Sequence, residues 1–197
     1  MERDAKNFNP EQYKRGIMMD FSGLEIEDAF YFEGNLIEKL MLMREVLKNK
    51  LKYDNSMYEN IYAYAYNFFT AGQYDKAKDI FKILLILNPQ EIKGFIALGG
   101  CLQKLSDHQH AVHVYNAGHL VDPHSVTILL NIGLCYMSME KLAMAEESFL
   151  YACMESYKDK ETDPEKKFSI SEKLWKVTRS RQKKQEITLQ QSLIHID

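Results

Sequence analysis

The chain has 197 residues, and its 46% apolar content is enough for one cored domain with tails. A net charge of −3 gives no footing for a nucleic-acid surface, and 27% charged residues is ordinary for a soluble protein. The longest wholly aliphatic run, Ile83 to Leu87, is far too short to span a bilayer, so no direct membrane insertion is expected.

Residues 1–23 read as an irregular arm whose start lacks the apolar stretch of a secretory signal. Residues 24–55 form an N-terminal helical segment, with an amphipathic helix over about 35–50. Asn35 follows Gly34 as its cap, and Leu36, Leu40, Met43 and Leu47 make its stripe. The additional apolar residues Ile37, Met41 and Val46 predict burial against the rest of the chain or a second copy. Ser56 and Glu59 have capping-box spacing and place the next helix start near Met57. At about 100° per residue, Ile61, Tyr64, Ala65 and Phe68 share one arc of that helix. Tyr62, Tyr66 and Phe69 form a second arc beside it. A soluble helix needs one apolar face for packing, so the second is available to hold something.

A period of 34 residues follows. It relates Ala65, Gly99 and Gly133, then Ala77, Ala111 and Ala145, then Phe81, Tyr115 and Phe149. Leu84, Gly118 and Ala152 keep the same register, as do Tyr64, Leu98 and Ile132, Phe68, Leu102 and Tyr136, and Pro89 and Pro123. The pattern resembles the tetratricopeptide repeat, a helix–turn–helix unit of that period. The fold class expected is therefore all-α, with three tandem repeats over 56–159, laid out as 58–91, 92–125 and 126–159. The small residues let paired helices approach to the usual 8–10 Å. The prolines end each second helix by disfavouring helix at the residue before them. Ile61, Phe95 and Leu129 stand where the repeat has Trp, and Tyr157 stands where the third unit would have proline. The last second helix is thereby free to run on.

Residues 160–197 are a C-terminal helix and charged tail. Asp163-Pro164 is a good N-cap and first-turn pair, which predicts helix through about 178 with Leu174 and Trp175 as anchors. Residues 182–197 are expected to fray, and the basic run Arg179 to Lys184 reads as a solubilising tail.

In a tetratricopeptide array the first helix of each unit lines the concave face. Tyr62, Tyr66 and Phe69 would then be joined by Ile96, Gly100 and Gln103, and by Leu130, Leu134 and Met137. This trough could hold an extended peptide by burial of its aliphatic anchors, at roughly 25 cal/mol per Å². Repeats that instead grip the carboxylate of chaperone tails use Lys and Asn, whereas the corresponding places here are Tyr62, Tyr66, Ala97, Thr127 and Asn131. An apolar trough cannot compensate a desolvated carboxylate, so that mode is not expected.

The stretch Ile61 to Tyr74, with Ala97 to Gln103 and Tyr115-Asn-Ala-Gly118, resembles the class II chaperones of type III secretion systems over about 36–157. The resemblance implies a cytoplasmic, non-enzymatic protein whose partners are hydrophobic translocator proteins. It implies that an extended N-terminal segment of the translocator lies in the groove, with Tyr62, Tyr66, Phe69, Tyr74 and Tyr115 as the aromatic groove residues. It also implies a homodimer through 24–50, and no cofactor. His108 and the long C-terminal tail depart from the family pattern. The alternative is a generic tetratricopeptide scaffold that assembles folded partners.

Five histidines, His108, His110, His113, His119 and His124, crowd one stretch. His110 and His113 share a helix face, but no neighbouring carboxylate or Cys completes a metal set locally, so a solvated face is expected. Cys101 and Cys135 hold one repeat position and read as small core residues, and Cys153 is similar. No phosphate loop or hydrolase motif occurs, so no catalytic residue is assigned.

Overall fold

The structure is a computed structural model that describes residues 36–48, 55–158 and 164–194, and every regular element among them is an α-helix. Helix α1 is Leu36–Lys48. Three antiparallel pairs follow: α2 (Asn55–Thr70) with α3 (Tyr74–Leu87), α4 (Ile92–Lys104) with α5 (His108–Val121), and α6 (Val126–Ser138) with α7 (Leu142–Lys158). Helix α8 (Pro164–Ile194) packs along α7. The fold is a tetratricopeptide-type solenoid, as the period predicts. The irregular arm expected over 1–23 and the Asn35 cap lie outside the described residues.

The repeat columns have a steric cause. A Cβ added at Gly99 would stand 2.4 Å from a ring carbon of Tyr115, and one at Gly133 would stand 2.4 Å from a ring carbon of Phe149. The first helix of each unit thus carries a gap, and the second fills it with an aromatic ring. Ala65 and Phe81 occupy the same two columns in the first unit, and both are fully buried. Each such ring contributes about 2–3 kcal/mol of burial free energy. Gly118 serves the joint between units, because a Cβ there would meet Ile128 at 2.7 Å and Phe95 at 2.8 Å.

The turn inside each unit is also periodic. Gly72, Ser106 and Glu140 all have positive φ, at 76°, 62° and 58°. Each sits just past a first helix and closes a Schellman motif. Gln73, Asp107 and Lys141 donate their N–H groups to Phe68, Leu102 and Tyr136 at 2.9, 2.8 and 2.9 Å. Only the first unit uses glycine for this left-handed residue, so the other two turns carry backbone strain.

Helix ends follow the local chemistry. Asp107 caps α5 by accepting from the His110 N–H at 3.4 Å, and Glu91 caps α4 by accepting from Lys93 at 3.4 Å. Helices α3 and α5 stop two residues before Pro89 and Pro123. With Tyr157 in place of proline, α7 runs on to 17 residues against 14 for α3 and for α5. Helix α2 starts at Asn55, two residues ahead of the expected Met57, which puts Ser56 inside the first turn and not at its cap.

Helix α1 lays Leu36, Leu40 and Met43 against α3 and touches α5. Ile37 is partly buried on the same core. Of the two surfaces expected to cover Met41, the rest of the chain does not, since it is 41% exposed, and Leu42 beside it is 66% exposed. The side chains of Val46 and Leu47 lie outside the described residues. Helix α8 runs back along α7, with Arg179 3.7 Å from Glu146, and reaches α6 where Thr178 Oγ1, which donates to the Leu174 carbonyl at 2.8 Å, lies 3.9 Å from Met137 Sδ. It continues to Ile194, where the composition predicts fraying beyond about 182. Gln, Lys and Arg are good helix formers, and Gln182 bonds Glu186 one turn on at 3.5 Å. Residues 195–197 lie outside the described residues. No helix among the described residues is long and apolar enough to cross a membrane.

Candidate functional site

The second aromatic arc of α2 forms a ladder. Tyr62 and Tyr66 stack at 6.3 Å with planes 10° apart, and Tyr66 and Phe69 stack at 6.0 Å and 17°. The inner rung leans on the core, with the Tyr62 ring 5.5 Å from Phe81. The middle rung faces out, and Tyr66 is 49% exposed. Phe69 is propped from behind by Tyr74 at the head of α3, edge-on at 5.3 Å. The ladder walls a cavity of about 250 Å³ on the face made by the first helices of the units.

Helix α4 supplies the floor with Ile96, Ala97, Gly100, Gln103 and Lys104, and α6 supplies Asn131. Gly100 keeps the floor low, since a Cβ there would lie 3.8 Å from the Phe69 ring. Tyr115 comes up from beneath. It is fully buried, and its hydroxyl donates to Gln103 Oε1 at 2.8 Å. Gln103 in turn donates from Nε2 to the main-chain carbonyl of Asn131 at 3.4 Å. Burial pushes the Tyr115 phenol well above its usual range, and burial raises Tyr62 against the opposing charge of Lys93. Both phenols are neutral donors at ordinary pH.

Seven of the eleven residues assigned from sequence line this cavity: Tyr62, Tyr66, Phe69, Ile96, Gly100, Gln103 and Tyr115. Tyr115 does so as a buried strut and not as an open ring. The other four stand elsewhere. Tyr74 is the prop behind Phe69. Leu130 packs on a small cluster of Val126, Leu129 and Ala152, and Leu134 is half-buried outside the cavity lining. Met137 is engaged by Thr178 and lines a separate cavity of about 350 Å³ with Leu142, Arg181 and Lys184. A C-terminal helix anchored by Leu174 and Trp175 was expected from sequence, but its reach to Met137 was not.

Sequence reasoning missed Phe81 and Lys104, and it weighed Ala97 and Asn131 only as places in a carboxylate grip. Lys104 was legible, because it follows Gly100 by one helical turn and so shares its face.

The histidines do not gather. His110 Nδ1 lies 2.7 and 2.8 Å from the two carboxylate oxygens of Asp107, the cap of its own helix, a pair that does not make a metal set. His124 Nδ1 lies 2.9 Å from Glu155. Among the described residues no group of three or more His, Cys, Asp or Glu could hold a metal ion. The three thiols are buried. Burial pushes Cys101 up to about 12 and Cys135 up to about 11, and it raises Cys153 as well. Thiols so placed are inert core groups.

No protein-family model matches the chain. Over 102 residues it is 29% identical to the low calcium response locus protein H of Yersinia pestis, a match that spans 52% of this chain and 60% of the Yersinia protein. The fold is shared with PcrH in complex with the chaperone binding region of PopD, at a TM-score of 0.62 and 24% identity, covering 66% of this chain and 96% of PcrH. It is shared equally with the Yersinia enterocolitica type III secretion chaperone SycD in complex with a peptide of the translocator YopD, at a TM-score of 0.60 and 20% identity, covering 66% of this chain and 97% of SycD. The expected likeness to translocator chaperones is thus met in fold.

Proposed function

We propose that this chain is a cytoplasmic, non-enzymatic chaperone that holds an extended segment of a hydrophobic type III secretion translocator in the groove of its first helices. The observation that carries the reading is the ladder of Tyr62, Tyr66 and Phe69, stacked at 6.3 and 6.0 Å and opening into a cavity of about 250 Å³. The core has no need of the outward-facing Tyr66. The solved complexes of PcrH with the chaperone binding region of PopD and of SycD with a peptide of the translocator YopD support the same use here.

Mechanistically the groove needs no covalent chemistry. Aliphatic anchors of the bound segment displace water from the aromatic wall and gain about 25 cal/mol for each Å² covered. Ordering the flexible segment opposes this gain, which keeps binding reversible. Masking an apolar stretch prevents premature association, and release to the secretion machinery follows when a competing interaction takes the segment. The apolar outer face of α1, with Met41 and Leu42 exposed, is the surface we assign to a homodimer.

The test is capture from the native cytosol with the wild-type chain and with Tyr66→Ala, read by mass spectrometry. Loss of a large hydrophobic secreted protein from the variant alone supports the reading. Binding of that protein's segment should weaken by about 1–3 kcal/mol in Tyr66→Ala or Phe69→Ala, as for an aromatic anchor, with helicity unchanged. Folded soluble partners kept equally by both proteins would instead favour a scaffold.

A further inference from the structure

The groove differs in chemistry between its two ends. Its α2 end is aromatic, whereas the far end presents Lys104 and Asn131. Lys104 is exposed in the last turn of α4 and makes no ion pair or hydrogen bond to another described residue. The Asn131 hydrogen bond from Gln103 goes to its main-chain carbonyl, so its half-buried side-chain amide is not used there. Gln103 already accepts from Tyr115 and donates one of its two amide N–H groups to Asn131. No Asp or Glu lines the cavity. One cation and one amide, both N–H donors, therefore face an apolar cleft with no anion among its lining residues.

The group that fits such an end is a carboxylate, since charge-assisted N–H bonds are the stronger kind. The aromatic end cannot take it, because nothing there would offset its desolvation. For a segment that runs along α4, helix geometry gives the spacing. Gly100 marks the Phe69 contact, with its Cβ position 3.8 Å from the ring, and Lys104 stands one turn further, about 6 Å along α4. An extended segment advances about 3.3 Å per residue and returns to the same face every second residue.

We infer that the groove selects segments in which an Asp or Glu stands two residues from an apolar anchor, the anchor resting on Phe69 and Gly100 and the carboxylate held by Lys104 and Asn131. The inference rests on the groove reading above and names the chemistry of its ligand. The carboxylate assigned is an internal Asp or Glu side chain, and a peptide ending in a free carboxylate tests the other source.

The experiment uses the full chain and short acetylated, amidated alanine–serine peptides with leucine anchors, read by fluorescence anisotropy. Glu, Gln or Lys is placed two residues to either side of the central leucine, and Glu is also placed three residues away. In the favourable orientation, Glu at two residues should bind about three- to fivefold tighter than Gln, as for a solvent-accessible ion pair. That advantage should shrink as salt is raised. Glu at three residues should gain nothing, and Lys104→Glu should turn the preference toward the Lys peptide. Equal binding of the Glu and Gln peptides, with both weakened by Tyr66→Ala, overturns the carboxylate assignment and leaves the groove reading standing. A peptide ending in a free carboxylate at the anchor, binding better than internal Glu, overturns the internal source. If no peptide shows binding sensitive to Tyr66→Ala, the groove reading falls and this inference with it.

Discussion

Adding one methyl group at Gly99 and at Gly100 should have opposite results, although the two residues are neighbours on α4. At Gly99 the new Cβ would lie 2.4, 2.5 and 2.8 Å from three ring atoms of Tyr115, all far inside van der Waals contact. The ring has nowhere to go, because Tyr115 is fully buried and its hydroxyl is tied to Gln103 at 2.8 Å. Overpacking of this kind costs about 1–3 kcal/mol, and breaking the hydrogen bond adds about 0.5–1.5 kcal/mol. The helix propensity gained on replacing Gly by Ala returns about 1 kcal/mol. Gly99→Ala should therefore lose about 0.5–3.5 kcal/mol of stability. At Gly100 the nearest atom is the Phe69 ring at 3.8 Å, which is ordinary contact, so Gly100→Ala should gain roughly 0.5–1 kcal/mol while raising the groove floor. Urea unfolding followed by circular dichroism measures both. If Gly99→Ala is as stable as the wild type, the view that this column exists to seat an aromatic ring is wrong.

Other outcomes follow from the same geometry. Ser106→Gly and Glu140→Gly should each stabilise the fold by up to about 1 kcal/mol by relieving positive φ, whereas Gly72→Ala should destabilise it; denaturation midpoints decide. Cys101, with its thiol pushed up to about 12, should resist alkylation near pH 8 in the native protein and react at once in denaturant, as followed by mass spectrometry. His113 is held below its usual value first by burial and then by His110 and Lys39. Its folded form is neutral, so the unfolded chain takes up the proton first. Its contribution to stability is full above about pH 6.5 and declines as pH falls below that value toward the folded pKa. His113→Gln should flatten that slope in denaturant titrations on either side of about pH 6.5.

The array was legible because its cause is local and repeated. A small residue facing an aromatic ring recurs at Gly99 with Tyr115 and at Gly133 with Phe149, and the second helices of the first two units stop two residues before Pro89 and Pro123. The aromatic ladder was legible for a related reason. Helical periodicity alone separates Tyr62, Tyr66 and Phe69 from the arc that holds Ile61 and Ala65. Helix ends were read less well, since α2 starts before its capping signal and α8 outruns its charged composition.

The amino-acid sequence by itself determined the all-α architecture, the repeat register and the aromatic wall, because all three follow from the order of side chains along single helices. Tertiary structure alone decided which residues share the cavity. Tyr115 became a strut because its gap lies on another helix, at Gly99. Met137 left the groove for Thr178, 41 residues away, and Lys104 and Asn131 met across two units. Contacts between helices depend on how the units superpose in space, and periodicity within one helix carries no record of that.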